Sequence, residues 1–319
     1  MRLITAVLFA LLSSVANAQA YPNRTVTLVV PFSPGTGIDI LARVIGPRLG
    51  QKWGQPVVVE NKPGASGNIG TDFVAKSAPD GHTVMVTVNT FTITPSLIKN
   101  TPYDVVSDFA PISKIAVATY CFAVNPKVFP AQDMKEAIAL IRANPGKYFF
   151  ASPGNGTPHH IGMELIKLRL GLNATHVPYK GFAGAMQDLI GGQVQMMFTL
   201  VHSSIPHARA GRIRILGVTG TERSPPFPEA PTFREQGIEF MDDVDAWYAV
   251  IAPGRTPPEL VARLNADVNA VMALPEVRDS LLKQGLIPVT STSEALAALI
   301  KSDLARWAKV IAQAGITVD

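Results

Sequence analysis

Hydrophobic and polar positions change period along the chain, from runs of consecutive apolar residues to apolar positions three or four residues apart. The run Val26–Val30 consists mainly of β-branched residues, which is typical of a buried strand. Directly after it, Ile38, Leu41, Ile45 and Leu49 recur at helical spacing. Because strand and helix patterns keep alternating in this way, we predict an α/β fold with mainly parallel strands.

The same patterns place the individual elements. Strands are predicted over residues 24–30, 57–59, 83–88, 148–151, 174–177, 194–199, 213–219, 247–251 and 286–289, and the apolar segment 111–124 is predicted as a single crossing strand. Helices are predicted over residues 38–52, 131–143, 183–190, 257–273, 275–284 and 293–312, with two more near residues 69–74 and 158–170 and a short one between the strands at 194–199 and 213–219.

Two crossings divide the chain into lobes. The apolar segment 111–124 ends at Asn125-Pro126, and after the proline-rich stretch 224–231 the strand predicted at 247–251 leads back. A mature chain of about 300 residues is also at the size where a single core stops growing. We predict that the first lobe comprises residues 19–122 and 248–319, that the second lobe, 123–247, is inserted in it, and that a two-segment hinge joins them as in a clamshell.

The amino terminus is typical of a secretory signal peptide. Arg2 precedes an apolar stretch over residues 3–12, and Ala16-Asn17-Ala18 has the small-x-small form of a cleavage site. The apolar stretch is shorter than the ~20 residues of a spanning helix, and no cysteine stands at the cleavage site as it would in a lipoprotein. We therefore expect residues 1–18 to be removed and the mature protein to be exported.

Charge and cysteine content narrow the range of partners. The formal net charge of +4 over 319 residues is too small and too dispersed to indicate a nucleic-acid partner, although it is compatible with an anionic small molecule. The single cysteine, Cys121, cannot form an internal disulfide. Because it lies in an apolar run, we expect it to be a buried apolar residue.

Two short segments carry nearly the same sequence. Ser-Pro-Gly-Thr-Gly occupies residues 33–37 and Ser-Pro-Gly-Asn-Gly occupies residues 152–156, and each follows a predicted strand and enters a predicted helix. Glycines allow close backbone approach to a ligand, and the first N–H groups of a helix have no intrahelical partner. Each loop is therefore a candidate site for a carboxylate or phosphate. Thr157 before Pro158 is predicted to cap the second helix.

These loops have other interpretations. Asp39 could cap the first helix, and so compete for the N–H groups, or it could face a cationic group of the ligand. A single strand–glycine–helix turn can also reflect tight packing alone. Ile40 and His159 stand where the third glycine of G-x-G-x-x-G would be, so neither loop is a dinucleotide fingerprint. Asn89 and Thr90 follow the third strand at the edge where α/β sheets bind ligands.

Catalytic and metal-binding patterns are weak. His160 and Glu164 share a helical face, but two ligands are fewer than zinc requires and no third is signalled nearby. The glycines around Ser66 have the wrong spacing for a nucleophile elbow. No carboxylate pair in an apolar setting suggests general acid and base catalysis. We therefore predict no enzyme activity, no metal and no cofactor.

Several collinear motifs resemble those of the Bug-type periplasmic solute-binding proteins of tripartite tricarboxylate transporters, over essentially the whole mature chain. The matching segments are Val-Pro-Phe-Ser-Pro-Gly at 30–35, Val-Glu-Asn-Lys-Pro-Gly-Ala at 59–65, Ala-Pro-Asp-Gly at 78–81, Ala-Ser-Pro-Gly-Asn-Gly at 151–156, His-Val-Pro-Tyr-Lys-Gly at 176–181, Gly-Gly-Gln-Val at 191–194 and Pro-Glu-Ala-Pro-Thr at 228–232.

The resemblance implies a monomeric, two-lobed Venus-flytrap protein of the periplasm that closes on a small carboxylate and delivers it to membrane transporter subunits. It also implies that backbone N–H groups of both loops and bridging waters hold the carboxylate. Carried onto this chain, the implied ligand-binding residues are Ser33, Gly35, Thr36, Gly37 and Ile38 in the first loop, Ser152, Gly154, Asn155 and Gly156 in the second, and Asn89, Thr90 and His176 at neighbouring strand ends. Asp39 joins them as the candidate contact for a cationic group of the ligand.

Some positions depart from the usual family pattern. Thr36 and Ile38 replace a glycine and a small hydroxyl residue, and Thr-Leu-Val-His follows Phe198 where smaller polar residues are more familiar. We therefore expect a ligand with an apolar or aromatic body, in a pocket lined by Phe198 and other aromatic residues. Core packing is the alternative role for each of these aromatic residues.

Two rival functions stay open: a periplasmic hydrolase or isomerase that uses the same cleft, and a ligand sensor for a two-component kinase.

Overall fold

The computed structural model describes residues 21–98 and 100–316. The predicted signal peptide, residues 1–18, lies outside the described residues. In the described part of the chain, no helix is long and apolar enough to cross a membrane. The chain forms two β-sheets with helices packed on their faces, as the alternating pattern predicts.

The first sheet has six strands in the order β11-β4-β10-β3-β1-β2, and the second has five in the order β7-β6-β8-β5-β9. Both are mixed, because β10 runs antiparallel to β3 and β4, and β5 runs antiparallel to β8 and β9. The strands are β1 Val26–Val30, β2 Val57–Asn61, β3 Thr83–Val88, β4 Phe109–Ala118, β5 Tyr120–Val124, β6 Phe149–Ser152, β7 Thr175–Pro178, β8 Met196–Leu200, β9 Arg214–Val218, β10 Ala246–Pro253 and β11 Ile287–Pro288.

The helices follow the predicted order, with one addition. They are α1 Gly37–Trp53, α2 Asn68–Ala75, α3 Thr90–Leu97, α4 Met134–Ala143, α5 Pro158–Leu170, α6 Phe182–Gly191, α7 Val201–Arg209, α8 Pro258–Met272, α9 Pro275–Lys283 and α10 Ser293–Ala314. The N-cap prediction at Thr157 is confirmed, since its side chain accepts from the N–H of His160.

The predicted crossing strand over 111–124 is two strands that belong to different sheets. β4 pairs with β10, whereas β5 pairs with β8 and β9, and Thr119 separates them. The ladder breaks there because one strand cannot follow the twist of two separate sheets. The chain returns to the first sheet between Val218 and Ala246. The predicted lobe boundaries, after 122 and before 248, fall inside β5 and β10 and remain a prediction.

Hydrogen bonds tie the two crossings together. The N–H of Tyr120 donates to Oγ1 of Thr219 at 3.0 Å, and the N–H of Thr219 donates to the carbonyl of Tyr120 at 2.9 Å. Oγ1 of Thr219 also donates to Oδ1 of Asp245 at 2.8 Å. The outgoing and returning segments therefore form one hydrogen-bonded unit between the sheets.

Helix α10 makes a further connection. It packs against α3 and β4 on the side of the first sheet and against α5 of the second. Its buried face includes Trp307, Val310 and Ile311. The sequence-based interpretation, which had only the two crossings, did not include this contact between the lobes.

Strand direction brings the ligand-side loops to one place. The carboxyl ends of β1 and β3 lie at the same edge as the amino end of β10, and the carboxyl ends of β6 and β8 lie at the same edge as the amino end of β5. Since the first residues of β5 and β10 belong to the crossings, these two edges face each other across a cleft.

Candidate ligand-binding site

Two adjoining cavities lie in the cleft. The larger, about 180 Å³, is lined from the first sheet's side by Phe32, Thr36, Gly37, Ile38, Val88, Asn89, Thr90, Ala246 and Tyr248, and from the second by Tyr120, Pro158, His159 and Leu200. The smaller, about 120 Å³, shares Phe32 and Thr90 and adds Ser66, Thr94, Leu97, Ile98, Asn155, Gly156 and Thr157. Both glycine loops therefore contribute to one continuous cleft.

Three larger cavities lie elsewhere. One, about 530 Å³, lies beside α10 and includes Asp245 and Trp247. Another, about 600 Å³, includes His82 at the amino end of β3. The third, about 290 Å³, includes Ile213 and Phe227. We place the ligand site in the cleft because only there do the carboxyl ends of strands from both sheets converge among the described residues.

Asp39 stabilises the first loop through hydrogen bonds. Its carboxylate is buried and accepts from the N–H of Gly35 at 2.8 Å, from Nε of Arg43 at 3.0 Å and from Nδ2 of Asn61 at 2.8 Å. Burial alone would raise the pKa of Asp39, but the hydrogen bonds from Arg43, Gly35 and Asn61 outweigh it and lower that pKa. Asp39 therefore does not cap the following turn, and it is not among the residues that line either cavity; its contact with the ligand stays a prediction.

This arrangement leaves successive N–H groups of the first loop for a ligand. Oγ1 of Thr36 donates to the carbonyl of Ser33 at 2.9 Å, which closes the turn. The N–H groups of Gly37 and Ile38 open helix α1 and have no intrahelical acceptor. Thr36, Gly37 and Ile38 all line the larger cavity, whereas Ser33 and Gly35 do not.

The second loop uses most of its donors internally. The N–H of Gly154 donates to Oγ of Ser152 at 3.2 Å, and the N–H of Gly156 donates to Nδ1 of His160 at 3.1 Å. Ser152 is fully buried. Asn155, which is exposed at the tip and lines the smaller cavity, keeps its N–H group available. The prediction that Ser152, Gly154 and Gly156 contact the ligand therefore stays without direct support from their hydrogen bonding.

Two stacked histidines support this loop. The rings of His160 and His176 lie parallel with centroids 3.7 Å apart, and Nε2 of His176 is 2.7 Å from Oγ of Ser152. Burial, helped by the nearby Lys167, lowers the pKa of His160 to about 4; burial, His160 and Lys167 lower the pKa of His176 to about 3. Both rings are neutral at neutral pH, so Nδ1 of His160 can accept a hydrogen bond.

The aromatic floor of the cleft was only partly predicted. Phe198 is fully buried and stacks on Tyr120, with centroids 4.9 Å apart. It also abuts Gly162 so closely that an added Cβ would lie 2.3 Å from the ring. Phe198 therefore supports Tyr120 from behind instead of lining the cavity, because the core side of β8 is already closely packed.

Sequence reasoning missed several residues that line the larger cavity. Tyr120 begins the crossing strand β5, and Tyr248 is the third residue of the returning strand β10. His159 and Leu200 lie at the ends of second-sheet elements. The position of the two tyrosines at the predicted crossings was a usable signal. Nothing in the sequence pattern distinguished His159 from the neighbouring His160.

Electrostatics in the cleft come from backbone and neutral side chains. No lysine, arginine or carboxylate is among the described residues that line the two cavities. Within the described part of the chain, no group of histidine, cysteine or acidic residues is placed to hold a metal ion. The cleft can therefore bind an anion through oriented N–H groups, and its remaining walls suit an uncharged, largely apolar body.

Comparison with known proteins agrees with this geometry. The family model described as tripartite tricarboxylate transporter family receptor matches residues 41–316. The periplasmic binding protein BugD superposes with a TM-score of 0.77 at 32% identity, covering 93% of this chain and 99% of that one.

Two similar structures carry bound carboxylates. Rpa4515 of R. palustris with adipate has a TM-score of 0.79 at 35% identity, covering 93% of this chain and 99% of that chain. MatC of Rhodopseudomonas palustris with bound malate has a TM-score of 0.76 at 31% identity, covering 91% of this chain and 100% of that chain.

Proposed function

The chain belongs to the tripartite tricarboxylate transporter receptor family, and from that premise we propose that it captures a small carboxylate with an apolar or aromatic body. The family consists of periplasmic solute-binding receptors and not of enzymes, so the hydrolase and isomerase alternatives are set aside. The observation that carries the proposal is the convergence of both loops on one cleft, whose described lining offers unused N–H donors and includes no lysine or arginine.

The carboxylate is placed between the two loops. Thr36, Gly37 and Ile38 offer successive N–H groups at the positive end of helix α1, and Asn155 offers one from the opposite side. Binding through backbone donors neutralises the anion without the desolvation cost of a buried cation. Asp39 and the histidine pair act indirectly, because they fix the two loops that carry the donors.

The body of the ligand is placed in the larger cavity. Phe32, Ile38, Val88, Leu200 and the ring of Tyr120 form apolar walls. A dry cavity of ~150 Å³ lined by apolar side chains can hold benzene, so about 180 Å³ accommodates one six-membered ring or a short aliphatic chain. The bulky Ile38 contributes to this shape.

Delivery follows from family membership. We propose that the mature protein, exported by residues 1–18, acts in the periplasm as a monomer and presents the closed, loaded form to the membrane subunits of its transporter. Closure would move the lobe formed by 123–247 toward the lobe formed by 19–122 and 248–319, about the hydrogen-bonded crossings at Tyr120 and Thr219.

A ligand panel tests the proposal. Monocarboxylates and dicarboxylates with aliphatic or aromatic bodies are added to the purified mature protein, and thermal unfolding and calorimetric titration are recorded. A true ligand at 100 times its Kd stabilises the folded state by ~2.7 kcal/mol, which is an increase of several degrees in Tm. The matching neutral amides serve as controls. If the amides stabilise as well as the acids, or if no carboxylate stabilises, the proposal is wrong.

A further inference from the structure

The hydroxyl group of Tyr248 has no hydrogen-bond partner among the described residues. Its oxygen is not one of the unpaired polar atoms that are sealed from solvent, and Tyr248 lines the larger cavity. Burial raises the pKa of Tyr248 to about 12, so the hydroxyl keeps its proton at neutral pH. The cavity therefore contains an accessible side-chain donor that no described protein group uses.

Tyr248 is held rigidly in the first sheet. Strand β10 pairs with β3 on one edge and with β4 on the other, and Tyr248 lies opposite Val88 of β3. Side chains alternate along β10, so Trp247 packs in the cluster that includes α10, whereas Tyr248 packs in the cluster that includes Ile38 of α1. The ring of Tyr248 is therefore on the side of the helix that carries the first loop.

The hydroxyl group lies beside the first turn of α1. A Cβ atom added to Gly37 would lie 3.4 Å from the Tyr248 oxygen, its nearest contact outside the adjoining residues. Gly37 does not have the positive φ that favours glycine. The absence of a side chain at this position therefore leaves open the space between α1 and the hydroxyl group.

The free polar groups around this space are donors. The N–H groups of Gly37 and Ile38 have no intrahelical acceptor, and the Tyr248 hydroxyl adds a third donor. Oγ1 of Thr36 already donates to the carbonyl of Ser33. An ionised carboxylate has only acceptors and can take all three bonds, whereas a primary amide would bring N–H groups against these donors.

The other tyrosine of the cavity differs in this respect. Burial raises the pKa of Tyr120, and a hydrogen bond with the side chain of Asn89 opposes that increase. The hydroxyl group of Tyr120 therefore has a protein partner. Of the two hydroxyl groups, that of Tyr248 is available to a ligand.

We propose that Tyr248 is the side-chain donor of the anion site, and that the ligand carboxylate enters the space beside Gly37 and accepts from the Tyr248 hydroxyl as well as from the first loop. This inference rests on the proposed function, because it completes the same site. Hydrogen bonds to a charged group are stronger than neutral ones, so the hydroxyl raises affinity for ionised acids in particular.

Calorimetric titration of the mature protein with benzoate, hexanoate and adipate tests the role of Tyr248. Tyr248→Phe removes one oxygen and keeps the ring, so we expect a ~10- to 100-fold loss of affinity for each acid that the parent protein binds. Unliganded stability should stay close to that of the parent, because the hydroxyl has no partner in the described protein. Tyr148→Phe is the matched control and should leave these affinities unchanged, since it removes an unpartnered hydroxyl just before β6, outside both cavities.

Gly37→Ala tests the position of the carboxylate and leaves the tyrosine in place. The added methyl group would fill the space in front of the hydroxyl, while alanine suits the helical backbone. We expect a folded protein with at least a ~10-fold loss of affinity for the same acids. Gly46→Ala, on the same helix, is the control, because its methyl group would lie 3.5 Å from Val59, outside both cavities.

The outcomes separate this inference from the proposed function. If the parent protein binds an acid and Tyr248→Phe binds it equally well, the role of Tyr248 is wrong while the carboxylate receptor stands. Full affinity in Gly37→Ala would also overturn the inference, because the carboxylate would then lie elsewhere. If the parent protein binds none of the three acids, the inference fails together with the proposed ligand class.

Discussion

Asp39 fixes the shape of the first loop by accepting from a backbone N–H that lies four residues before it. That bond removes Gly35 from the set of ligand donors and leaves the next three N–H groups exposed to the cavity. The Asp39 carboxylate therefore organises the loop in which we propose that the anion binds. Its negative charge is balanced by Arg43, which is half-exposed on the outer side of the loop.

Replacing Asp39 with asparagine should weaken both folding and ligand binding. The charge-assisted bonds from Arg43 and Gly35 are lost or become neutral, so we expect a loss of ~1–3 kcal/mol in the free energy of unfolding, measured by urea denaturation. Ligand affinity should fall because the loop is no longer held. Asp72→Asn is the control, since Asp72 makes the same i,i+4 pair with the mostly exposed Lys76 and should cost less than ~1 kcal/mol.

The pH dependence of the Asp39 contribution has a definite sign. Because its folded pKa is lowered, the contribution of Asp39 to stability is present above the ordinary pKa near ~4 and is lost as pH falls through the folded pKa.

The affinity measurement can contradict the role of Asp39 in binding. Unchanged ligand affinity in Asp39→Asn, with the expected loss of stability, would show that loop shape does not control the N–H donors.

At the scale of elements, the paired loops could be predicted because their residue types and their strand–loop–helix setting repeat in the sequence. Their different internal bonding could not, since it depends on partners distant in sequence, such as Asn61 for Asp39 and His176 for Ser152. The two strands around Thr119 were merged because residues 111–124 are mostly apolar and nearly free of charge.

Helix α3 is the clearest element missed in the sequence. Thr90–Leu97 contains several threonines and Pro95, which are unfavourable in helix interiors. Tertiary packing against α10 overrides that preference. The unpaired hydroxyl group of Tyr248 was equally hidden, because an unpaired atom is defined by what surrounds it and not by its own residue type.

The histidine pair behind the second loop makes the stability of β6, β7 and α5 sensitive to acid. His160 and His176 have folded pKa values of about 4 and about 3, below the ordinary value near ~6.5. The unfolded state therefore binds protons first, and stability falls as pH drops below about 6.5. His159, His202 and His207, whose pKa values are also lowered, act in the same direction.

His176→Gln should make this dependence shallower. The glutamine amide can still donate to Oγ of Ser152, but it does not titrate, so one histidine's share of the slope, ~1.4 kcal/mol per pH unit, disappears between pH 6.5 and 4. Urea midpoints measured across that range check the prediction. A variant slope equal to that of the parent protein would show that His176 is as easily protonated in the folded state as in the unfolded one.

At the scale of the whole molecule, the crossings contain a carboxyl group that titrates in the opposite sense. Burial raises the pKa of Asp245 to about 6, against the hydrogen bond from Thr219, which lowers it. A raised folded pKa means that the folded state binds the proton more tightly, so this group's contribution falls as pH rises from about 4 to 6. The charged carboxylate of Asp245 at neutral pH therefore destabilises the hydrogen-bonded crossings between the two sheets.

Asp245→Asn should stabilise the protein at neutral pH. Asparagine keeps an acceptor for Oγ1 of Thr219 and removes the buried charge, so we expect a gain of about 1–3 kcal/mol at pH 7.5 and a much smaller gain at pH 4.5. Urea denaturation at the two pH values tests this. Asp243→Asn, an exposed neighbour in the same segment, should change stability little at either pH; an equal gain there would point to general charge reduction.

Closure of the cleft is the last consequence, because one carboxylate must reach donors on both lobes. In the proposed site, the N–H groups of Thr36 to Ile38 and that of Asn155 share the carboxylate when the lobes approach. Helix α10, which packs against elements of both sheets, stays in place in this proposal. On ligand addition, the radius of gyration from small-angle scattering should fall toward ~19 Å, the value for one compact body of this length. Asn155→Pro deletes the donor across the cleft and should abolish that compaction, whereas Asn155→Ala keeps the N–H group and should preserve it. Equal compaction in both variants, with unliganded stability unchanged, would mean that closure does not depend on the second loop's backbone.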